Sequence, residues 1–164
     1  MTVVIRPATR DDLWSIAEVQ VQSWHETYTG LLPDALIKRN TVQTRFDMWC
    51  ALFDRSDHQL WAGCDGEDVV AFSSYGPARN TDDAGEIYAI YVLRRAQGSG
   101  LGAQLFRQAL GRLKALGYAN AVLTVLAANP AVAFYQHMGG RIGETVHMTF
   151  DGETIKEWVM TYQL

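Results

Sequence analysis

Gln97-Gly98-Ser99-Gly100-Leu101-Gly102 divides a strand-like stretch from a helix-like one, and its reading decides the fold. Before it, Glu86-Ile87-Tyr88-Ala89-Ile90-Tyr91-Val92 is a run of β-branched and aromatic residues. After it, Leu101, Leu105, Ala109, Leu113 and Leu116 recur at helical spacing. The glycines therefore fall on a strand-to-helix turn. Three glycines at alternate positions leave backbone N–H groups uncovered at a helix N-terminus, where the helix dipole also favours negative charge. The turn reads as a pyrophosphate cradle.

Two phosphate motifs fit less well. Gly98-x-Gly100-x-x-Ala103 satisfies a dinucleotide fingerprint, but that motif needs a tight turn after the strand and an acid about 20 residues on for the ribose. Here five residues separate Val92 from Gly98, and no Asp or Glu occurs from Arg94 through Gly143. A P-loop is excluded because no Gly-Lys-Ser or Gly-Lys-Thr follows. What remains, Gln97-x-x-Gly100-x-Gly102, resembles the Gln/Arg-x-x-Gly-x-Gly/Ala signature of the GCN5-related N-acetyltransferase (GNAT) superfamily. The surrounding order strengthens the resemblance. Ile90-Tyr91-Val92, the 101–116 helix, the apolar run 121–126, Asn129-Pro130 and Phe134-Tyr135 follow as in that family. The likeness is specific from about Glu86 to Gly140. Gly140 departs from it, since the family usually carries Phe after Gly.

The resemblance implies an α/β fold: a mixed, mostly antiparallel central sheet flanked by helices, with a strand-loop-helix acyl-CoA cradle. It implies acetyl transfer from acetyl-CoA, with no metal, to a primary amine of a small molecule or a peptide N-terminus by direct attack in a ternary complex. The implied catalytic residues are Glu86, 14 residues before Gly100, as general base through a water, and Tyr135 as the acid that protonates the departing thiolate. The Ile90 N–H would contact the acetyl carbonyl, and Tyr91 and Val92 would run beside the pantetheine arm. Gln97, Gly98, Ser99, Gly100, Leu101 and Gly102 would hold the diphosphate, with Asn129 and Phe134 on the pantetheine. A non-catalytic acyl-CoA-binding module is the alternative. It would have no use for Glu86 or Tyr135.

At 164 residues, 48% of them hydrophobic, the chain suits one core and one domain over residues 1–164. The apolar runs are too short for a membrane span and the start lacks a signal-peptide pattern, so a cytoplasmic protein is expected. Cys50 and Cys64 form no C-x-x-C motif, and the four histidines lack metal-ligand spacing. A formal net charge of −4 argues against general nucleic-acid affinity. Its distribution is uneven: residues 94–143 hold six basic residues and no acid, which suits a polyanionic cofactor. A homodimer is compatible with the sequence and not required by it.

Along the chain, Val3-Val4-Ile5 reads as a strand, and Thr9 or Asp11 as the cap of a helix with Leu13, Ile16, Ala17, Val21 and Trp24 on its apolar face. Trp24, Glu26 and Tyr28 crowd its end and are candidate walls of a substrate groove, Glu26 and Tyr28 more so than Trp24. A second helical stretch runs from Pro33 to about Phe53, with Asn40-Thr41 as an interruption. Asp65-Gly66 and Asp151-Gly152 mark hairpin turns between alternating strands. Asp82 and Asp83 precede the central strand as a pair able to face a cation.

Overall fold

The computed structural model describes residues 2–164. Strand β1 (Val3–Pro7) leads through a short 3-10 turn into helix α1 (Leu13–Tyr28). Two helices follow, α2 (Asp34–Lys38) and α3 (Val42–Phe53), and then the strands β2 (Gln59–Asp65), β3 (Asp68–Pro77) and β4 (Gly85–Val92). Helix α4 (Leu101–Ala115), strand β5 (Asn120–Leu126), helix α5 (Val132–His137) and the hairpin of β6 (Arg141–Phe150) and β7 (Glu153–Gln163) complete the chain. The seven strands lie in the order β1-β2-β3-β4-β5-β7-β6, antiparallel except for β4 with β5. This is the expected fold class. Among the described residues no helix is long and apolar enough to cross a membrane.

Local chemistry accounts for most of the boundaries. The interruption at Asn40-Thr41 separates α2 from α3, because the Thr41 hydroxyl accepts from the Thr44 N–H at 3.2 Å and starts a new helix. Asp151 and Gly152 both take positive φ, 50° and 79°, the pattern of a two-residue hairpin turn. At the start of α1, Thr9, one of the two expected residues, is the N-cap of the 3-10 turn, while Asp11 is not; in the reciprocal half of this capping box the buried Asp12 carboxylate accepts from the Thr9 N–H at 2.7 Å, and it also accepts from two nitrogens of Arg6, at 2.6 and 2.9 Å. One side chain thus fixes the first turn and ties α1 to β1. Leu116 also differs: the helix stops at Ala115, and this leucine is half exposed rather than core.

Strand alternation assigns the layers. Ala71 and Gly63 meet Leu101 and Leu105, so α4 covers one face. Phe72 packs edge-on against Trp49 of α3, and Leu13 and Ile16 of α1 join the same cluster, so α1 and α3 cover the other. A second cluster around Phe106, Met160 and Tyr162 lies under α4 and α5.

Gly140, the departure from the family pattern, has a packing reason. A Cβ there would stand 2.5 Å from the Tyr162 hydroxyl and 2.8 Å from the Met160 methyl. Tyr162 fills the space and donates to the Tyr135 carbonyl at 2.8 Å.

Arg6 and the Thr9 amide hold the Asp12 carboxyl at about 2, below its ordinary 3.8. A carboxyl depressed in the fold stabilises it above the unfolded value, and this contribution fades as the pH falls through the folded one. Asp12→Asn should therefore lower stability at pH 7 by about 1–2 kcal/mol, a hydrogen-bonded pair discounted for the exposure of Arg6. Urea unfolding at a series of pH values should show this gap constant above about pH 5 and closing toward pH 2.

Candidate active site

The site begins where two strands part. β4 and β5 pair only at Gly85–Ala121 and Glu86–Val122, although each strand continues for at least four more residues. β4 stays bound to β3, and β5 to β7, so the two halves of the sheet diverge. Register with β3 shifts where Ser74 faces Ala89 but Tyr75 faces Ile87, leaving Tyr88 as a bulge that adds to the bend. A cleft of about 630 Å³ opens between them, lined by Ile87–Val92 of β4 and Leu123–Val125 of β5. On this side the backbone groups of β4 past Glu86 have no strand partner, an edge that an extended ligand can pair with.

The glycine turn closes one end of the cleft. Gly98 and Gly100 have φ of 78° and 87°, a region where a Cβ is strained. A Cβ at Gly98 would meet nothing within 4 Å, and one at Gly100 only the Gln104 amide at 3.8 Å. The backbone conformation, not crowding, therefore demands glycine. Gly100 caps α4, and its carbonyl receives the first helical bond, from Gln104 N–H at 3.0 Å. The amides of residues 101–103 are left without helical partners at the positive end of the dipole. Gly102 lies between Val92 and Phe134, 3.6 and 3.7 Å from where its Cβ would be.

The other expected residues divide into those that face the cleft and those that do not. Gln97, Gly98, Gly100, Gly102, Asn129, Phe134 and Tyr135 line it, as do Ile90, Tyr91 and Val92. Leu101 is fully buried in the core, and the Ser99 hydroxyl donates to the Ala96 carbonyl at 2.5 Å, which places both behind the turn. The Gln97 amide donates to the Val92 carbonyl at 3.1 Å, so that side chain braces the strand end. On the α1 side, Glu26 and Tyr28 line the cleft but Trp24 does not. Trp24 packs edge-on against Tyr28, and its indole N–H donates to the Tyr91 hydroxyl at 2.9 Å. The Glu26 carboxylate accepts from the Arg94 amide at 3.0 Å, and its carbonyl from the Arg94 guanidinium at 2.5 Å.

Asn129 is oriented by both ends of its amide. Its oxygen accepts from the Ala131 N–H at 2.8 Å, and its nitrogen donates to the Tyr28 hydroxyl at 3.3 Å. The Tyr135 hydroxyl has no protein hydrogen-bond partner among the described residues, and burial, followed by the nearby Tyr28, pushes it well above the usual phenol range. Burial likewise raises Tyr91 strongly, and raises Tyr28 against the opposing pull of Asn129. These phenols stay protonated at neutral pH.

Glu86 stands differently from its expected place. It is buried, and it accepts from the Arg79 amide at 3.0 Å and from Nε and Nη2 of the guanidinium at 3.3 and 2.6 Å. It is not among the residues lining the cleft. Both carboxylate oxygens of Glu86 thus accept from Arg79 in this structure. Asp82 and Asp83 are exposed in the loop beyond, away from the cleft. No motif spacing marks Arg79 as a partner of Glu86, because their bond joins a loop to a strand start.

Comparison with known proteins agrees with this geometry. Residues 16–140 match the acetyltransferase (GNAT) family. The chain is 31% identical over 137 residues to an uncharacterised N-acetyltransferase, YuaI, of Bacillus subtilis, covering 82% of this chain and 78% of that one. It is 30% identical over 142 residues to a phosphinothricin N-acetyltransferase of Streptomyces viridochromogenes, covering 84% and 73%. Among solved structures, the PaiA N-acetyltransferase of Thermoplasma acidophilum in complex with coenzyme A superposes with a TM-score of 0.79, at 18% identity and covering all of both chains. The yncA acetyltransferase of Salmonella typhimurium with acetyl-CoA gives 0.72, at 18% identity and covering 99% and 94%. The match over residues 16–140, with the glycine turn, the parted strands and Tyr135 inside it, shows that the chain belongs to the GNAT family and is an N-acetyltransferase.

Proposed function

We propose that the protein moves an acetyl group from acetyl-CoA to a primary amine of a small molecule or peptide N-terminus, by direct attack while both are bound. The observation that carries this is the parting of β4 from β5 with the glycine turn at its wide end. It supplies an unpaired strand edge for an extended arm and free amides for phosphate in one continuous cleft. The phosphinothricin N-acetyltransferase likeness, at 30% identity, supports a small amine as acceptor. CoA-bound fold relatives support the cosubstrate.

In this reading the amides after Gly100 receive the diphosphate, and the acid-free segment 94–143 lowers the cost of bringing three phosphates near. Asn129, fixed by Ala131 and Tyr28, offers its remaining amide hydrogen to the pantetheine. The Ile90 N–H is the donor for the carbonyl oxygen as negative charge develops there. Tyr135 gives its proton to the thiolate as the carbon–sulfur bond breaks. A phenol this reluctant to ionise works by placement in a dry cleft rather than by acidity. Glu86 serves by holding Arg79 rather than by taking a proton.

Two variants of one glycine separate strain from charge. Gly100→Ala should cost about 1–2 kcal/mol of stability from its φ alone and keep CoA binding, whereas Gly100→Asp should weaken CoA binding at least about tenfold, the equivalent of about 1.4 kcal/mol. Calorimetry showing equal CoA affinity in Gly100→Asp and the parent would remove the cradle. Parent affinity should also fall as salt is raised. For Tyr135→Phe, turnover should drop by about 10²–10⁴-fold with little change in acetyl-CoA affinity. Parallel losses in both would make Tyr135 an anchor instead of an acid.

A further inference from the structure

The second half of α1 borders the cleft, and its side chains differ in how their polar atoms are used. Ser23, Glu26, Thr27 and Tyr28 all line the cleft. Glu26 accepts from the Arg94 amide, and Tyr28 from the Asn129 side chain. One turn before, the buried Gln20 accepts from the Trp49 indole at 2.8 Å. Ser23 has no such partner. It is 3% exposed, and its Oγ is buried without a hydrogen bond among the described residues. Nor does it turn back to the carbonyl four residues earlier, as the Thr29 hydroxyl does to that of His25 at 2.6 Å. A buried hydroxyl without a partner destabilises a fold, so one that lines a cleft is explained by what enters the cleft.

Two bonds set α1 along β4, Trp24 to Tyr91 and Glu26 to Arg94. Helix and strand advance in the same sense, so Ser23, which precedes both bonds, stands toward Ile90 rather than toward the glycine turn. It also stands on the face opposite α4. Tyr91 pairs with Phe72 and Ala89 with Ser74, and Phe72 packs on Trp49 of α3, so alternation turns Tyr91 and Ala89 toward α1. Both line the cleft with Ser23. On the other face Ile90 packs against the cluster that holds Phe106, Leu123 and Val125. A nucleophile guided by a polar contact to a thioester beside Ile90 therefore arrives from the α1 face.

We propose that Ser23 positions the attacking amine: its Oγ accepts one amine N–H and so turns the nitrogen lone pair toward the thioester carbonyl carbon beside the Ile90 N–H. The inference rests on the acetyl-transfer reading. Ser23 takes no proton at any step. Its contribution is orientation through one hydrogen bond, which acts equally at every pH. A primary amine suits this arrangement, because one N–H stays on nitrogen in the product amide and can keep the bond to Ser23, while the other is lost as the amide forms. A secondary amine must lose the only N–H it could offer.

The test uses the intact protein with glycinamide, its N-methyl derivative, an alanyl dipeptide and putrescine as acceptors, and Ser23→Ala as the variant. For the primary amine that the parent acetylates fastest, Ser23→Ala should lower kcat/KM by about 10–10²-fold, and by the same factor across the pH profile. Calorimetry should show weaker binding of that amine to the CoA-saturated variant, with the affinity for CoA alone within about threefold of the parent. The preference for glycinamide over its N-methyl derivative should shrink. The free variant should melt about 2–4 °C above the parent, since the substitution removes an unpaired buried hydroxyl and supplies a better helix former. A kcat/KM within about threefold of the parent for every amine, or a lower melting temperature, overturns the assignment. A loss of CoA affinity equal to the loss of turnover also overturns it, because Ser23 would then be a contact of the cosubstrate. Failure of the parent to bind CoA, or to acetylate any of these amines, would instead count against the acetyl-transfer reading itself, which separates the two results.

Discussion

The divergence of β4 from β5 after two paired residues is the constraint on which the rest of the structure depends. A parallel pair would normally continue along the strands, since unpaired backbone groups in a protein interior cost free energy. Here each strand is instead held by its antiparallel neighbour, β3 on one side and β7 on the other, so the sheet is two well-bonded halves joined at a short seam. The bulge at Tyr88 turns the outer part of β4 away from that seam. The unpaired edge is tolerated because it borders a cleft.

Both walls of that cleft are braced by side chains from elsewhere in the chain. The end of α1 is tied to β4 and its following turn through Trp24–Tyr91 and Glu26–Arg94, and to the β5–α5 connection through Tyr28–Asn129. Phe106 of α4 packs against Phe134, Tyr135 and Tyr162, so the helix that follows the glycine turn also sets the position of Tyr135. The two chemical ends of the site therefore share supports, and a disturbance in either is felt at both.

Charge is arranged with the same economy of contacts. Arg79 and Glu86 satisfy one another at the margin of the cleft, and Asp12 with Arg6 does so at the start of α1, far from it. The phenols of Tyr28, Tyr91 and Tyr135 are kept neutral by burial, and the first two accept, from the Asn129 amide and the Trp24 indole.

The order of strands and helices and the glycine turn were legible in the sequence alone, because each rests on local chemistry. Positive φ at Gly98 and Gly100, strand alternation, helical spacing and hairpin turns all act within a few residues. The resemblance carried by Gln97-x-x-Gly100-x-Gly102 then named the family before any contact was known. Other features depended on residues far apart in sequence. Nothing local states that Arg79 will bind both oxygens of Glu86, that Tyr162 will fill the space beside Gly140, or that Arg6 of β1 will reach the Asp12 carboxylate. Local rules set which elements form, but a side chain's partners and its freedom to react are decided by how the elements pack, and only the tertiary structure holds that information.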